Sequence, residues 1–198
     1  DLKILKKTKK VDFVYLPKFN DIYTNNNRSK IALNKKDKIL CAKFRKGHFE
    51  GVLDVMDRLT KIVKPNKIFM GEKDFQQLYL VKNFLKKKYK TKIISCRTIR
   101  GKNKIALSSR NFLLNSSSLK LAGKIYKKLK NIKKKINNKN DISDYLMYSK
   151  KKLEMSLKIK IDYLELRNIK NLKISKTKNN SRLFIAYYLN NVRLIDNL

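Results

Sequence analysis

The chain has 198 residues and a mass of 23.5 kDa, enough for one domain with a small appendage and too little for two large ones. With 42% hydrophobic and 10% aromatic residues it carries enough apolar surface to fold, which excludes a disordered chain in spite of its charge. Lys and Arg number 51 against 15 Asp and Glu, a formal net charge of +36, far beyond the magnitude of roughly 2 to 8 that suits a small domain. Only nine of these cations are Arg, and the Lys residues run from end to end. A nucleic-acid footprint gathers on one face and leans on Arg and stacking aromatics; dispersed Lys, with abundant Asn and Ile and few Gly and Pro, reads instead as the product of A+T-rich coding. No run of about 18 apolar residues or apolar signal core occurs, so neither a membrane span nor a secretory signal is expected, and the expected address is the cytoplasm. Cys41 and Cys96 have no Cys/His cluster around them, which argues against a zinc site and predicts two buried thiols.

In chain order, Leu2, Ile4 and Leu5 among lysines predict a helix already under way at Asp1, as if sequence were missing upstream. Val11 to Leu16, closed by Pro17, predicts a strand, Asn25 to Asn27 a turn, and Ile31 to Leu33 a weaker strand. Val52, Val55, Met56, Leu59, Ile62 and Val63 recur at helical spacing up to Pro65, predicting a helix over Phe49 to Lys64. A buried strand at Lys67 to Met70, a helix from Glu72 to Tyr89 and a strand at Lys92 to Cys96 complete an alternation that predicts an α/β fold with a parallel sheet. Beyond residue 112 the pattern changes. A helix capped by Ser116, Ser117 or Ser118 carries Leu119, Ala122, Tyr126, Leu129, Ile132 and Ile136, and Asn137 to Asn140 break it. A helix over Ile142 to Leu157, with Tyr145, Met147, Leu153 and Leu157 inward, and strands at Ile161 to Leu166 and Leu183 to Leu189 make a small α+β unit. The Lys triplets at 86–88, 133–135 and 150–152 are solvated helix faces, and no internal repeat is found.

Three segments carry chemistry. Gly71-Glu72-Lys73-Asp74-Phe75-Gln76-Gln77 sits where a strand ends and a helix begins, the place where open α/β sheets bind ligands. A cation at a helix N-terminus opposes the helix dipole by about 0.3 to 1 kcal/mol, so Lys73 either meets an incoming phosphate beside the free N–H groups or pairs with a neighbouring acid. One turn on, Gln77 can turn its amide to the same spot for hydroxyl or carboxylate recognition. Ile105 to Asn111 offers two hydroxyls and a guanidinium, Ser108, Ser109 and Arg110. This donor cluster suits a polyphosphate, or Ser109 or Asn111 serves as a helix cap. His48, the only histidine, precedes a third helix in the segment Arg45 to Gly51; one His cannot build a zinc cage, and no Gly-x-Ser-x-Gly elbow exists.

GHFEGV at 47–52, GEKDFQQL at 71–78, ALSSRN at 106–111 and VRLIDN at 192–197, with KKVDFVYLP and DIY near the start, resemble in order and interval the pantothenate synthetase family of the nucleotidylyl-transferase superfamily. The resemblance covers nearly the whole chain. It implies a partial Rossmann-like parallel sheet over residues 1–112 with a lid-like α+β domain over 113–198. It also implies a ligase that makes pantoyl adenylate and pyrophosphate from pantoate and ATP, then lets β-alanine displace AMP. By position it implies Gly71, Glu72, Lys73 and Asp74 as one ATP segment and Leu107, Ser108, Ser109 and Arg110 as another. Ile99 lies at adenine, Gln77 on pantoate, and Lys73 with His48 at the phosphates. Mg²⁺ on the phosphates and a homodimer follow from the same resemblance, with no specific nucleic acid and no membrane.

This sequence departs from the family pattern in Lys46 for a usual Pro, Asp54 for a common Thr, and Lys104 for a turn glycine, which Asn103 partly offsets by tolerating left-handed geometry. The family's His-x-Gly-His and Phe-Val-Asn-Pro-x-Gln-Phe motifs have no counterpart in these 198 residues. The chain therefore reads as the C-terminal two-thirds of such an enzyme, expected to form no pantothenate alone. The alternatives are a basic nucleic-acid-binding protein on a degenerate ligase fold and a sister ligase for another acid or amine.

Overall fold

The computed structural model describes residues 2–23, 31–136 and 141–198. The turn expected at Asn25 to Asn27 and the breaker at Asn137 to Asn140 lie outside them. Helix α1 spans Leu2–Thr8 and α2 spans Phe19–Ile22. A single 3₁₀ turn, Lys35–Asp37, leads to α3 (Leu40–Phe44) and α4 (His48–Val63). Strand β1 (Lys67–Gly71), a 3₁₀ turn at Glu72–Asp74, α5 (Phe75–Leu85) and β2 (Lys92–Cys96) follow. The 3₁₀ helix Ser109–Leu113 precedes α6 (Ser116–Lys135) and α7 (Ile142–Leu157), and the chain ends in β3 (Lys160–Asn168), β4 (Ser181–Leu189) and β5 (Val192–Asn197).

β1 and β2 pair in parallel, Lys67 with Lys92 through Gly71 with Cys96, and α5 makes the crossover, as the alternating pattern predicts. The C-terminal strands form an antiparallel sheet in the order β3-β4-β5. The fold is thus α/β with a parallel two-stranded sheet and a C-terminal antiparallel three-stranded one.

β4 shows why the two halves cohere. Its residues alternate, Leu183, Ile185, Tyr187 and Leu189 packing with Ile125, Leu129, Leu146 and Leu153 of α6 and α7, while Phe184 and Ala186 pack with Leu40, Phe49, Leu53, Leu80 and Val81 of α3, α4 and α5. A strand buried on both faces reads as a continuous apolar run, and LFIAYYL at 183–189 is one. Helices lie on both sides, and the N-terminal helices share a core with the C-terminal sheet.

Several expectations fail. Val11 to Leu16 is not a strand; no strand pairs with it among the described residues, and Phe13 is 94% exposed. Ile31 to Leu33 is irregular, although Leu33 is buried. β1 is half-open to solvent, with Phe69 exposed, because β2 is its only neighbour among the described residues. On α4 Phe49, Leu53 and Thr60 are buried and Val52 and Met56 of the expected stripe pack half-buried against the same core, while Ile62 and Val63 face water. On α7 Leu146 is buried and Met147 exposed. Asn115, not a serine, caps α6 by accepting from the Ser118 N–H at 2.9 Å. Cys41 is buried but Cys96 is exposed at the end of β2. β5 is a further strand beyond those the pattern predicts; the Asn190-Asn191 pair at φ 46° and 63° closes a two-residue hairpin between Leu189 and Val192, a turn that asparagine tolerates better than most residues.

Candidate nucleotide and acid site

The GEKD turn at the end of β1 is held from outside its own segment. Arg182 on β4 donates from Nη2 to Glu72 Oε2 at 2.8 Å and stacks over the Phe75 ring at 4.7 Å. Asn197, the last residue of β5, donates from Nδ2 to the Glu72 and Lys73 carbonyls at 2.9 and 3.0 Å, and its Oδ1 accepts from Arg182 at 2.8 Å. A turn fixed by three buried or half-buried hydrogen bonds presents its side chains in one geometry. The Glu72 carboxylate thereby braces the turn. Lys73 Nζ stands 3.5 Å from Asp74 Oδ1, the acid pairing that sequence left open, with 20% of the Lys73 side chain exposed.

The Ser-Ser-Arg segment is fixed in the same way. Ser108 accepts from the Arg110 N–H at 3.3 Å and caps the short 3₁₀ helix, so the cap falls one residue before the expected Ser109. Asn111 donates to the Ala106 carbonyl at 3.1 Å, and Arg110 Nη1 donates to the Arg193 carbonyl on β5 at 3.0 Å. Ahead of it, Arg100 makes a bidentate pair with Asp196 at 2.7 and 2.8 Å and lies 4.5 Å over the Tyr126 ring. In the turn between them it is Lys104, not Asn103, that takes the left-handed conformation, at φ 67°.

His48 is the first residue of α4, after Gly47 at φ 75°, where left-handed backbone favours glycine. Its Nε2 lies 2.8 Å from Arg45 Nη1. Guanidinium has only donors, so Nε2 is the acceptor and the ring is neutral with its proton on Nδ1. Burial first, then the charges of Arg45 and Arg110, hold the imidazole below its ordinary pKa.

These three corners border two adjoining cavities. The first is lined by Arg45, His48, Lys73, Asp74, Gln76 and Gln77, among others. The second is lined by Lys73, Ser108, Arg110, Asn111 and Asp196, among others. Lys73 belongs to both, and the charge of Arg110 is felt at both His48 and Arg45. Of the sequence-derived candidates, His48, Lys73, Asp74, Gln77, Ser108 and Arg110 thus come together. Gly71, Glu72, Ile99, Leu107 and Ser109 line neither cavity, and Ile99 and Leu107 are exposed. A more open cavity of about 340 Å³ lies between α6 and α7, walled by lysines and tyrosines.

Sequence reasoning missed the residues that brace the site. Arg182, Asp196 and Asn197 act across more than 90 positions, and no local pattern announces such partners. Gln76, beside the expected Gln77, is 5% exposed and donates to the Asp37 and Ile39 carbonyls at 3.2 and 2.8 Å. Cys41 lines the first cavity, 3.1 Å from the Tyr163 hydroxyl.

Comparison with known proteins agrees with this arrangement. The Pantoate-beta-alanine ligase family model matches residues 1–198. The pantothenate synthetase of Buchnera aphidicola from Acyrthosiphon pisum is 36% identical over 199 residues, covering 98% of this chain and 70% of its own length. That of Francisella tularensis is 37% identical, covering 94% and 64%. Among solved structures, pantothenate synthetase from Thermus thermophilus superposes with a TM-score of 0.89 at 26% identity, over 100% of this chain and 74% of that one. The Francisella tularensis pantoate-beta-alanine ligase, solved as a complex with beta-gamma ATP and beta-alanine, gives 0.78 at 36% identity, over 100% and 68%. With a family match along its full length and relatives above one-third identity, this chain belongs to the pantoate-beta-alanine ligase family.

Proposed function

We propose that the chain serves the ATP-dependent joining of pantoate to β-alanine, with ATP across the two cavities and the acid beside Gln77. The observation that carries this reading is the shared position of Lys73. It stands between a wall bearing Ser108 and Arg110, which suits phosphates, and a wall bearing Gln77, which suits a hydroxy acid.

The chemistry needs no covalent bond to the protein. The pantoate carboxylate oxygen attacks the α-phosphorus, the bond to the bridging oxygen breaks, and pyrophosphate leaves with the electron pair. The β-alanine amine then attacks the acyl carbon, loses a proton and expels AMP. What the protein supplies is alignment and positive charge where negative charge builds. In this reading Lys73 faces the α-phosphate region, Arg110 and Ser108 the departing pyrophosphate, and the Nδ1–H of His48 a phosphate oxygen. The backbone at Gly71 to Asp74, Ile99 and Leu107 to Ser109 would follow the nucleotide.

Mg²⁺ fits the site as a phosphate-borne ion. Among the described residues no cluster of three or more His, Cys, Asp or Glu could hold a metal alone, but Mg²⁺ bound with ATP needs only one or two carboxylates besides phosphate oxygens and water. Asp74, half-exposed on the first cavity, would hold it. When bound, the ion neutralises triphosphate charge. The rest of the proposal, a cytoplasmic homodimer with residues 1–112 as the nucleotide half and 113–198 as a lid-like domain, rests on the family resemblance. No helix of the described residues is long and apolar enough to cross a membrane.

Calorimetric titration of the chain with a non-hydrolysable ATP analogue tests the proposal. Lys73→Ala and Arg110→Ala should each weaken binding about 10-fold or more, the worth of a charge-assisted hydrogen bond. Gln77→Ala should leave the nucleotide alone and weaken pantoate. Nucleotide affinity indifferent to Lys73 and Arg110, or absent from the unaltered chain, would overturn it.

A further inference from the structure

Arg45 stands out among the arginines. Arg58, Arg100, Arg167, Arg182 and Arg193 each have a carboxylate within 4 Å, and Arg97 lies in solvent. Arg45 and Arg110 are half-buried, and no carboxylate lies within that distance of either among the described residues. A partly desolvated cation beside a neutral imidazole and two further guanidinium groups is an unfavourable arrangement until an anion joins it. Burial, then the Arg110 charge, depresses the Arg45 pKa, with Asp74, farther than ion-pair distance, opposing only in part.

The two unpaired arginines occupy different walls. Arg110 is on the second cavity with Ser108, the phosphate side. Arg45 is on the first with Gln77, Gln76 and His48, and is absent from the second. Its Nη1 is engaged by His48, while Nε and Nη2, the edge that grips a carboxylate with two parallel N–H bonds, have no partner among the described residues and are not buried. Apart from the phosphate oxygen assigned to His48, the anions on this side are carboxylates. The pantoate carboxylate is consumed by the reaction and must face the nucleotide at Lys73, so the one left to recognise is that of the amine substrate.

We infer that Arg45 binds the carboxylate of β-alanine through its Nε–Nη2 edge and selects amino acids over simple amines. The inference rests on the proposed function and names a specificity residue within it. His48, by occupying Nη1, fixes the plane of the guanidinium.

The test is saturation-transfer NMR on the full chain with an α,β-non-hydrolysable ATP analogue and pantoate present, comparing β-alanine with propylamine, which lacks the carboxylate. The unaltered chain should favour β-alanine. Arg45→Gln should weaken β-alanine about 10-fold or more, leave propylamine as it was and keep nucleotide affinity. Arg45→Lys, which keeps the charge but loses the fork, should fall between and serves if the Gln variant misfolds. Nucleotide and β-alanine affinity falling together would make Arg45 a phosphate ligand and overturn the inference. So would an unchanged Arg45→Gln, or an unaltered chain that binds nucleotide but does not distinguish the two amines; in these cases the proposed function survives. A chain that binds no nucleotide at all removes both.

Discussion

Arg182 and Glu72 are 110 positions apart in sequence, yet the guanidinium donates to the carboxylate at 2.8 Å, tying β4 to the turn that presents Lys73. Around that pair, Asn197 uses both ends of its amide, two donor bonds into the turn and one acceptor bond from Arg182. The turn is held in place by the C-terminal sheet rather than by its own sequence.

Asn197→Ala should therefore damage a site whose ligands it never touches. Loss of three hydrogen bonds at a residue 5% exposed, leaving two backbone carbonyls without their partner, costs about 2 to 3 kcal/mol. Urea denaturation should show that loss, and the nucleotide titration should show weaker binding in conditions where the variant is still folded. Intact nucleotide affinity in the folded variant would mean that the turn holds its shape unaided.

His48 gives a single-residue reporter, because the chain has one histidine. Its pKa is depressed by burial and by the nearby Arg45 and Arg110 charges, so the unfolded chain takes up a proton at higher pH than the folded one. Stability from this group is complete above about pH 6.5, the unfolded value, and is lost as pH falls toward the folded pKa. NMR titration of the imidazole should give a midpoint below 6.5, and His48→Gln should flatten the stability change in that window. A midpoint at or above 6.5 would contradict the Arg45 contact.

Gly123 on α6 lies under the turn before the Ser-Ser-Arg segment. A Cβ there would meet the Asn103 carbonyl oxygen at 3.0 Å. Gly→Ala in a helix interior ordinarily gains about 0.5 to 1 kcal/mol; here contact with backbone should reverse the sign. Gly123→Ala should lower the melting temperature, whereas a rise would show that the turn yields freely.

Lys104 holds φ 67°, a region that costs an ordinary side chain about 1 to 2 kcal/mol. Lys104→Gly should stabilise the chain by about 0.5 to 1 kcal/mol once the greater freedom of unfolded glycine is subtracted. Chemical denaturation would show it as a higher midpoint with an unchanged slope.

What the sequence makes legible follows from how local the signal is. The bounds of α7 are legible because its apolar spacing lies within its own segment, although Leu146 rather than Met147 turns inward. The parallel pairing of β1 and β2 follows from the helix between them. Val11 to Leu16 has the composition of a strand but no partner among the described residues, and composition cannot supply one. At the site, Lys73, Gln77, Ser108 and Arg110 are legible because each sits in a short segment with a stated chemistry. Arg182, Asp196 and Asn197 are not, since their work is done across the fold. In the sequence Arg45 is merely a neighbour of His48; that no carboxylate among the described residues lies within 4 Å of it is visible only in the three-dimensional arrangement.

The central claim is that a built cleft, not diffuse positive charge, receives the nucleotide. Backbone amide shifts recorded while a non-hydrolysable ATP analogue is added at moderate salt test it most directly. The account predicts changes concentrated at residues 45–48, 71–77 and 106–111. Changes spread over the lysine faces at 133–135 and 150–152, fading together as salt rises, would contradict it.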